Sequence, residues 1–185
     1  MKSSATAKTL ILRSPIARSV RGVSLIEMMI AVTIVAILAV LGIPSYQVWI
    51  QNTQIRNAAE AVTNGLQRAR GEAVARNANV TFVLGADSSW TLSANGAVFE
   101  TRPASDGSLN VTRTVLPAGA TTLTFSNFGV ITTNGDGSAP LTQVDFDSAL
   151  LSAADSRDLR VTIGVGGNAK MCDPNLTTGT SPLAC

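Results

Sequence analysis

Hydrophobic and polar residues follow three successive patterns along the chain, and each predicts a different element. Between Val23 and Ile43 the sequence is apolar except for Ser24, Glu27 and Thr33, with Gly42 near the end. No charged residue lies between Met28 and Ile55. As a helix, the 21 residues from 23 to 43 would reach about 31 Å, enough to cross the hydrocarbon core of a bilayer. From Ser45 to about Asn77 the period stays helical but the pattern becomes amphipathic. Ile55, Ala58, Ala59, Val62, Leu66, Ala69, Ala73 and Val74 recur at three- and four-residue spacing. Arg56–Glu60, Arg68–Glu72 and Glu72–Arg76 set opposite charges one turn apart. Gly65 and Gly71 weaken this helix without ending it. Counted from Val23, the helix would run for about 55 residues, roughly 80 Å.

After Asn79 the period changes to two. Across residues 109–115 the apolar Leu109, Val111 and Val115 alternate with polar residues, as do Leu159, Val161, Ile163 and Val165 in theirs. Leu123 with Phe125 and Val144 with Phe146 do the same, and short strands are expected at 80–84, 90–93 and 129–132. Turns fall at Ala94-Asn95-Gly96, Asp106-Gly107, Asn134-Gly135-Asp136-Gly137 and 164–167. One long helix followed by many short antiparallel strands reads as an α+β fold, with the sheet packed on the apolar stripe of the second helical half.

Composition narrows the function. Of 185 residues, 14% are charged, against roughly 25% in typical soluble domains. Histidine is absent, which excludes a His-based triad and a His-ligated metal. Two cysteines are too few for a thiolate zinc site. The net charge of +2 belongs to one end: Lys2, Lys8, Arg13, Arg18 and Arg21 precede the apolar run with no acid among them. The remainder has nine basic and twelve acidic residues, a net charge of −3. The whole-chain pI of about 8.8 is therefore no basis for a nucleic-acid reading. The same asymmetry places the N-terminus in the cytoplasm and everything after the span outside it.

A secretory signal peptide would have a shorter apolar core and a small-residue cleavage site. A plain signal anchor stays open, whereas a buried soluble helix is disfavoured because so few downstream hydrophobes could cover it. Glu27 is the discriminating residue. Deep in a membrane a carboxylate costs about 2.5–3.5 kcal/mol. A cation opposite it would remove that cost, and cleavage after Gly22 would create an ammonium at Val23.

The stretch Arg21-Gly22-Val23-Ser24-Leu25-Ile26-Glu27 resembles the prepilin processing signal of type IV pilins and type II secretion pseudopilins. The resemblance implies cutting after Gly22 by a prepilin peptidase, methylation of Val23, and an assembly role for Glu27. The family usually has Phe where Val23 stands, and often a shorter leader. Pro44 matches the proline that pilins commonly carry near the end of the span; physically it removes a helical hydrogen bond and bends the helix. Residues 69–80, with Ala-Arg, Glu-Ala and Arg-Asn pairs, are similar to the helix-to-strand junction of the GspH/FimT group of minor pilins. Small residues packing on a sheet account for that stretch equally well.

The C-terminal part offers few candidates for chemistry. Asp145 and Asp147 form a D-x-D pair, but strand alternation puts both on the solvent face, without the further oxygen ligands calcium needs. Asn134–Gly137 lacks the downstream glutamate of a calcium loop. Gly164, Gly166 and Gly167 open no helix, so they form no dinucleotide site, and no motif sets a serine beside Lys170. Neither metal nor cofactor is expected. Cys172 and Cys185 lie on the oxidising side; a bridge would stabilise a Thr/Gly/Pro/Asn-rich tail by about 3 kcal/mol, and two free thiols are the alternative. The pilin resemblance implies the bridge and tilts the reading toward a pilus. Some related minor pilins use C-terminal basic residues for DNA uptake. Here residues 173–184 contain no Lys or Arg, which leaves only Arg157, Arg160 and Lys170 for phosphate contacts and disfavours nucleic acid.

These readings converge on a minor pilin of the FimU/FimT type, a non-enzymatic structural subunit. Its expected segments are a cleaved leader (1–22), a membrane and assembly half-helix (23–44), an amphipathic half-helix (45–78) and a β-domain (79–185). The expected partners are prepilin peptidase, the major pilin, other minor pilins and, before assembly, the lipid bilayer. It would sit in the bacterial inner membrane and then in a surface pilus. A type II secretion pseudopilin, a DNA-uptake pilin and an anchored enzyme are the rivals, in that order.

Overall fold

The structure is a computed structural model describing residues 22–177, 179 and 181–185; the expected leader, Gly22 apart, lies outside them. One helix, α1, spans Leu25–Arg76 and carries Pro44 in its interior. The chain divides into two compact units whose boundary falls between Leu41 and Gly42. In the first unit every described residue, 22–41, is exposed. Thr33, a polar residue in that stretch, donates its hydroxyl to the Met29 carbonyl at 2.8 Å, so it adds no unsatisfied group to an apolar surface.

The second unit contains the core. Its strands are β1 (Val80–Leu84), β2 (Trp90–Ala94), β3 (Ala97–Arg102), β4 (Val111–Leu116), β5 (Thr122–Phe125), β6 (Ile131–Thr132), β7 (Gln143–Ser148), β8 (Leu159–Ile163) and β9 (Ala169–Cys172). They form two antiparallel sheets rather than one, in the orders β3-β2-β1-β5-β6 and β4-β7-β8-β9. Ile55, Ala58, Ala59, Val62, Leu66, Ala69 and Ala73 of α1 share one core with Phe82, Leu92, Leu123, Phe125, Val144, Phe146 and Val161 from both sheets. The alternation read from the sequence is the inward face of these strands: β1 runs buried–intermediate–buried along its length, and Val144 and Phe146 are fully buried in β7.

Several expectations need correction. β3 and β9 carry no clean alternation and were not expected as strands; both are edge strands, and β3 is accessible along most of its length. Leu109 lies before β4 and is exposed. Val74 is half exposed, because it lies beside the turn at Gly129 and not under a strand. Val165 is almost wholly exposed: β8 ends at Ile163, and the amides of Gly164 and Gly167 close a turn onto Asn168 and Gly164. Gly65, read as a weak point of the helix, is buried where Phe82 and Trp90 pack on it. Asn95 and Gly96 both take positive φ (51° and 80°), the geometry of a two-residue hairpin turn matched to strand twist.

Candidate functional site

The first unit begins with Ser24 as the residue before the helix and Glu27 in its first turn. The Ser24 amide donates to Glu27 Oε2 at 3.4 Å, and its carbonyl accepts from Met28 N–H at 3.1 Å. This is one half of a capping box, in which a carboxylate satisfies an orphan amide at the positive end of a helix. The Ser-x-x-Glu spacing before an apolar run is its sequence signal, and reading Glu27 only as a partner for an ammonium missed it. Gly22 and Val23 precede the helix and are exposed. By length and composition α1 includes a stretch able to cross a membrane, none of which is buried in the structure.

In the second unit, Cys172 and Cys185 are joined by a disulfide, with their Cα atoms 5.1 Å apart. The backbone closes the same loop: Asp173 N–H donates to the Leu183 carbonyl at 2.7 Å, and Cys185 N–H to the Asp173 carbonyl at 3.3 Å. Asn52 of α1 holds a different segment, donating to the Asp155 carbonyl at 2.9 Å and accepting from the Arg157 amide at 2.8 Å.

The D-x-D residues are occupied. Asp145 receives two hydrogen bonds from Arg160, whose guanidinium pKa is raised chiefly by that contact. Burial pushes the Asp147 carboxyl up, but hydrogen bonds from the Ser156 hydroxyl and the Ser148 amide prevail and hold it below its ordinary value. Among the described residues no group of three or more Cys, Asp or Glu is placed to hold a metal ion. The Asn134–Gly137 stretch is a structural turn: buried Asn134 donates to the carbonyls of Thr122 and Ser138 and accepts from the Thr124 hydroxyl.

Most cations are likewise engaged. Arg56 pairs with Glu60, Arg68 with Glu72 and Glu100, and Arg76 with Glu72. Arg76 also lies 4.2 Å from the centre of the Phe99 ring. Arg102 donates to the Ser88 carbonyl and the Ser108 hydroxyl, and Arg113 to the Gly85 carbonyl. Burial lowers the pKa of both guanidiniums. Of the three cations considered for phosphate contacts, Arg160 is thus neutralised, leaving Arg157 and Lys170 exposed.

An exposed apolar helical segment, long enough to cross a membrane, precedes a compact helix-on-sheet unit with a stapled C-terminal loop. Residues 58–167 match the family model described as Type II transport protein GspH, more than half of the chain, and the chain belongs to that family of minor pilins and pseudopilins of type IV pili and type II secretion. Residues 17–43 match the prokaryotic N-terminal methylation motif, which implies prepilin peptidase processing and assembly with other pilins. The family is structural. Among solved structures, the chain is similar to the type IV minor pilin FimU of Pseudomonas aeruginosa strain PAO1, with 20% identity and TM-score 0.46, covering 71% of this chain and 94% of that one. It is also similar to the minor pseudopilin EpsH of the Type 2 Secretion System of Vibrio cholerae, with 12% identity and TM-score 0.48, covering 66% and 99%. No curated protein matches the sequence.

Proposed function

We propose that this chain is a minor pilin, a structural subunit of a type IV pilus that contributes to assembly and initiation near the tip. The observation that carries the reading is the exposed apolar start of α1, which no other described residue buries. Such a surface requires lipid before assembly and other apolar helices afterwards. The leader, 1–22, holds the N-terminus in the cytoplasm until prepilin peptidase cuts after Gly22, while the β-domain, 79–185, lies in the periplasm. Val23 then bears an ammonium. In the bundle formed with the major pilin and other minor pilins, Glu27 exchanges its own helix cap for the Val23 ammonium of a neighbour. A misaligned subunit would leave that charge buried and unpaired, so the pair fixes axial register. Gly42 and Pro44 give the helix a place to yield between segments 23–44 and 45–78.

N-terminal sequencing and intact mass of the membrane-extracted protein test the processing step. N-methylated Val23 is the expected start; an intact Met1 or a start near Gly42 overturns the reading. Glu27→Ala is expected to insert in the membrane but to be missing from sheared pili, and normal incorporation would remove the pairing role. A second reading, a minor pseudopilin of a type II secretion system, is favoured by the description of the matching family model. Co-purification with pilus or with secretion components separates the two.

A further inference from the structure

Two tight turns at one end of the β-domain each present a bare hydrophobe to solvent: Phe128 is 80% exposed and Val165 97%. Neither turn is loosely held. Gly129 and Gly167 sit in left-handed conformations, with φ of 72° and 78°. A Cβ at Gly129 would lie 3.1 Å from Val74 Cγ2 and 3.3 Å from Arg70 Nε, and one at Gly167 would lie 2.7 Å from the Phe125 ring. The first turn is also tied to the end of α1, where Asn127 donates to Asn77 Oδ1 at 3.0 Å. Both turns are thus seated directly on the core and on the helix, and their exposed tips are pre-organised.

Beside them an open channel of about 610 Å³ runs between α1 and residues 167–169, with Gly71, Ala75 and Ala169 among its lining residues; the Gly129 turn abuts two further lining side chains, Val74 and Arg70. Small side chains there let a partner's backbone approach closely. Half-exposed Val74 adds apolar surface, and Arg70 supplies one positive charge. Arg70 makes no ion pair among the described residues, whereas Arg56, Arg68 and Arg76 of the same helix all do.

We propose that this channel is a subunit-docking surface, occupied by a segment of a neighbouring pilin-class subunit that carries one carboxylate between apolar side chains. The apolar side chains would cover Phe128 and Val165, and the carboxylate would meet Arg70. An unpaired cation inside an apolar rim selects a partner by its complementary charge. The inference rests on the reading of the chain as an assembling subunit and assigns that assembly a second surface, where the last turns of α1 meet residues 167–169, in addition to the apolar segment 23–44.

The test uses the full-length chain in cells, with a photo-cross-linking amino acid at position 128 or 165 and, as a control, at exposed Thr112 on β4. Positions 128 and 165, but not 112, should capture a peptide from a protein with an N-terminal methylation motif, and that peptide should contain an Asp or Glu flanked by hydrophobes. Arg70→Glu should lower the yield roughly tenfold, and reversing the captured carboxylate to Arg should restore it. Capture of lipid or nucleic acid alone, or a yield indifferent to both charge reversals, overturns the proposal. The N-terminus is sequenced in the same samples. Methylated Val23 without capture refutes the docking surface alone, and an unprocessed N-terminus refutes the assembly reading with it.

Discussion

Asp145 and Arg160 stand directly opposite each other on β7 and β8, joined by hydrogen bonds of 2.7 Å from Nε to Oδ1 and 3.0 Å from Nη2 to Oδ2. Two-point contact fixes both planar groups at once, a geometry stronger than a single ion-pair contact. It withdraws Asp145 from any metal site and Arg160 from any phosphate-binding patch.

Asp145→Asn should therefore act on stability. The second unit is expected to lose about 1 kcal/mol, the scale of a well-oriented cross-strand charge pair, read as a lower urea midpoint at unchanged slope. An unchanged midpoint would mean that the pair contributes nothing beyond its neighbours.

Gly65→Ala sets helix propensity against packing. Alanine is favoured over glycine in a helix by about 1 kcal/mol. At this position, however, the new Cβ would lie 2.9 Å from both Phe82 Cε2 and Trp90 Cε2. Overpacking of a filled core costs roughly 1–3 kcal/mol, so the net change should be destabilising. At Gly71 nothing lies within 4 Å, and Gly71→Ala should raise stability instead. Chemical denaturation of the two variants side by side checks the opposite signs.

Removing the Cys172–Cys185 bridge as Cys172→Ser with Cys185→Ser should lower stability by about 3 kcal/mol through the freed unfolded chain. Hydrogen exchange should speed at the amides of Asp173 and Cys185, whose backbone bonds close the loop. Amides of the core strands β1 and β7, which exchange through global unfolding, should speed only by the factor that the same loss of stability sets.

Acid should weaken the fold through two turn aspartates. The hydroxyl and amide of Ser89 hold the Asp87 carboxyl below its ordinary pKa, and those of Ser138 do the same for Asp136. With folded-state values depressed, the unfolded chain takes up protons first. The resulting stabilisation is complete above about pH 4 and is lost as pH falls through the lower folded-state values. A variant carrying Asp87→Asn and Asp136→Asn should show a shallower loss of stability below that pH in unfolding curves taken at several acidities.

Legibility in the sequence followed the reach of each interaction. The long helix, its buried stripe from Ile55 to Ala73 and strands such as β1 were readable because period and burial coincide along a local segment. The strands β3 and β9 were not, since β3 is accessible along most of its length and β9 fully buries only Cys172, so neither carries an alternation to read. Glu27 was legible as an anomaly, while its contact with the Ser24 amide required the helix start to be placed.

By itself the sequence determined the two-part organisation: an apolar span behind a basic leader, then an amphipathic helix and short alternating strands, together with the processing motif around Gly22. Periodicity and charge order are properties of the chain itself. Only the tertiary structure decided that the strands separate into two sheets, that Asp145 is held by Arg160, and that Arg70, beside the Gly129 turn, makes no ion pair among the described residues. Those facts depend on residues far apart in sequence meeting across a folded core, and no local pattern encodes which of them will meet.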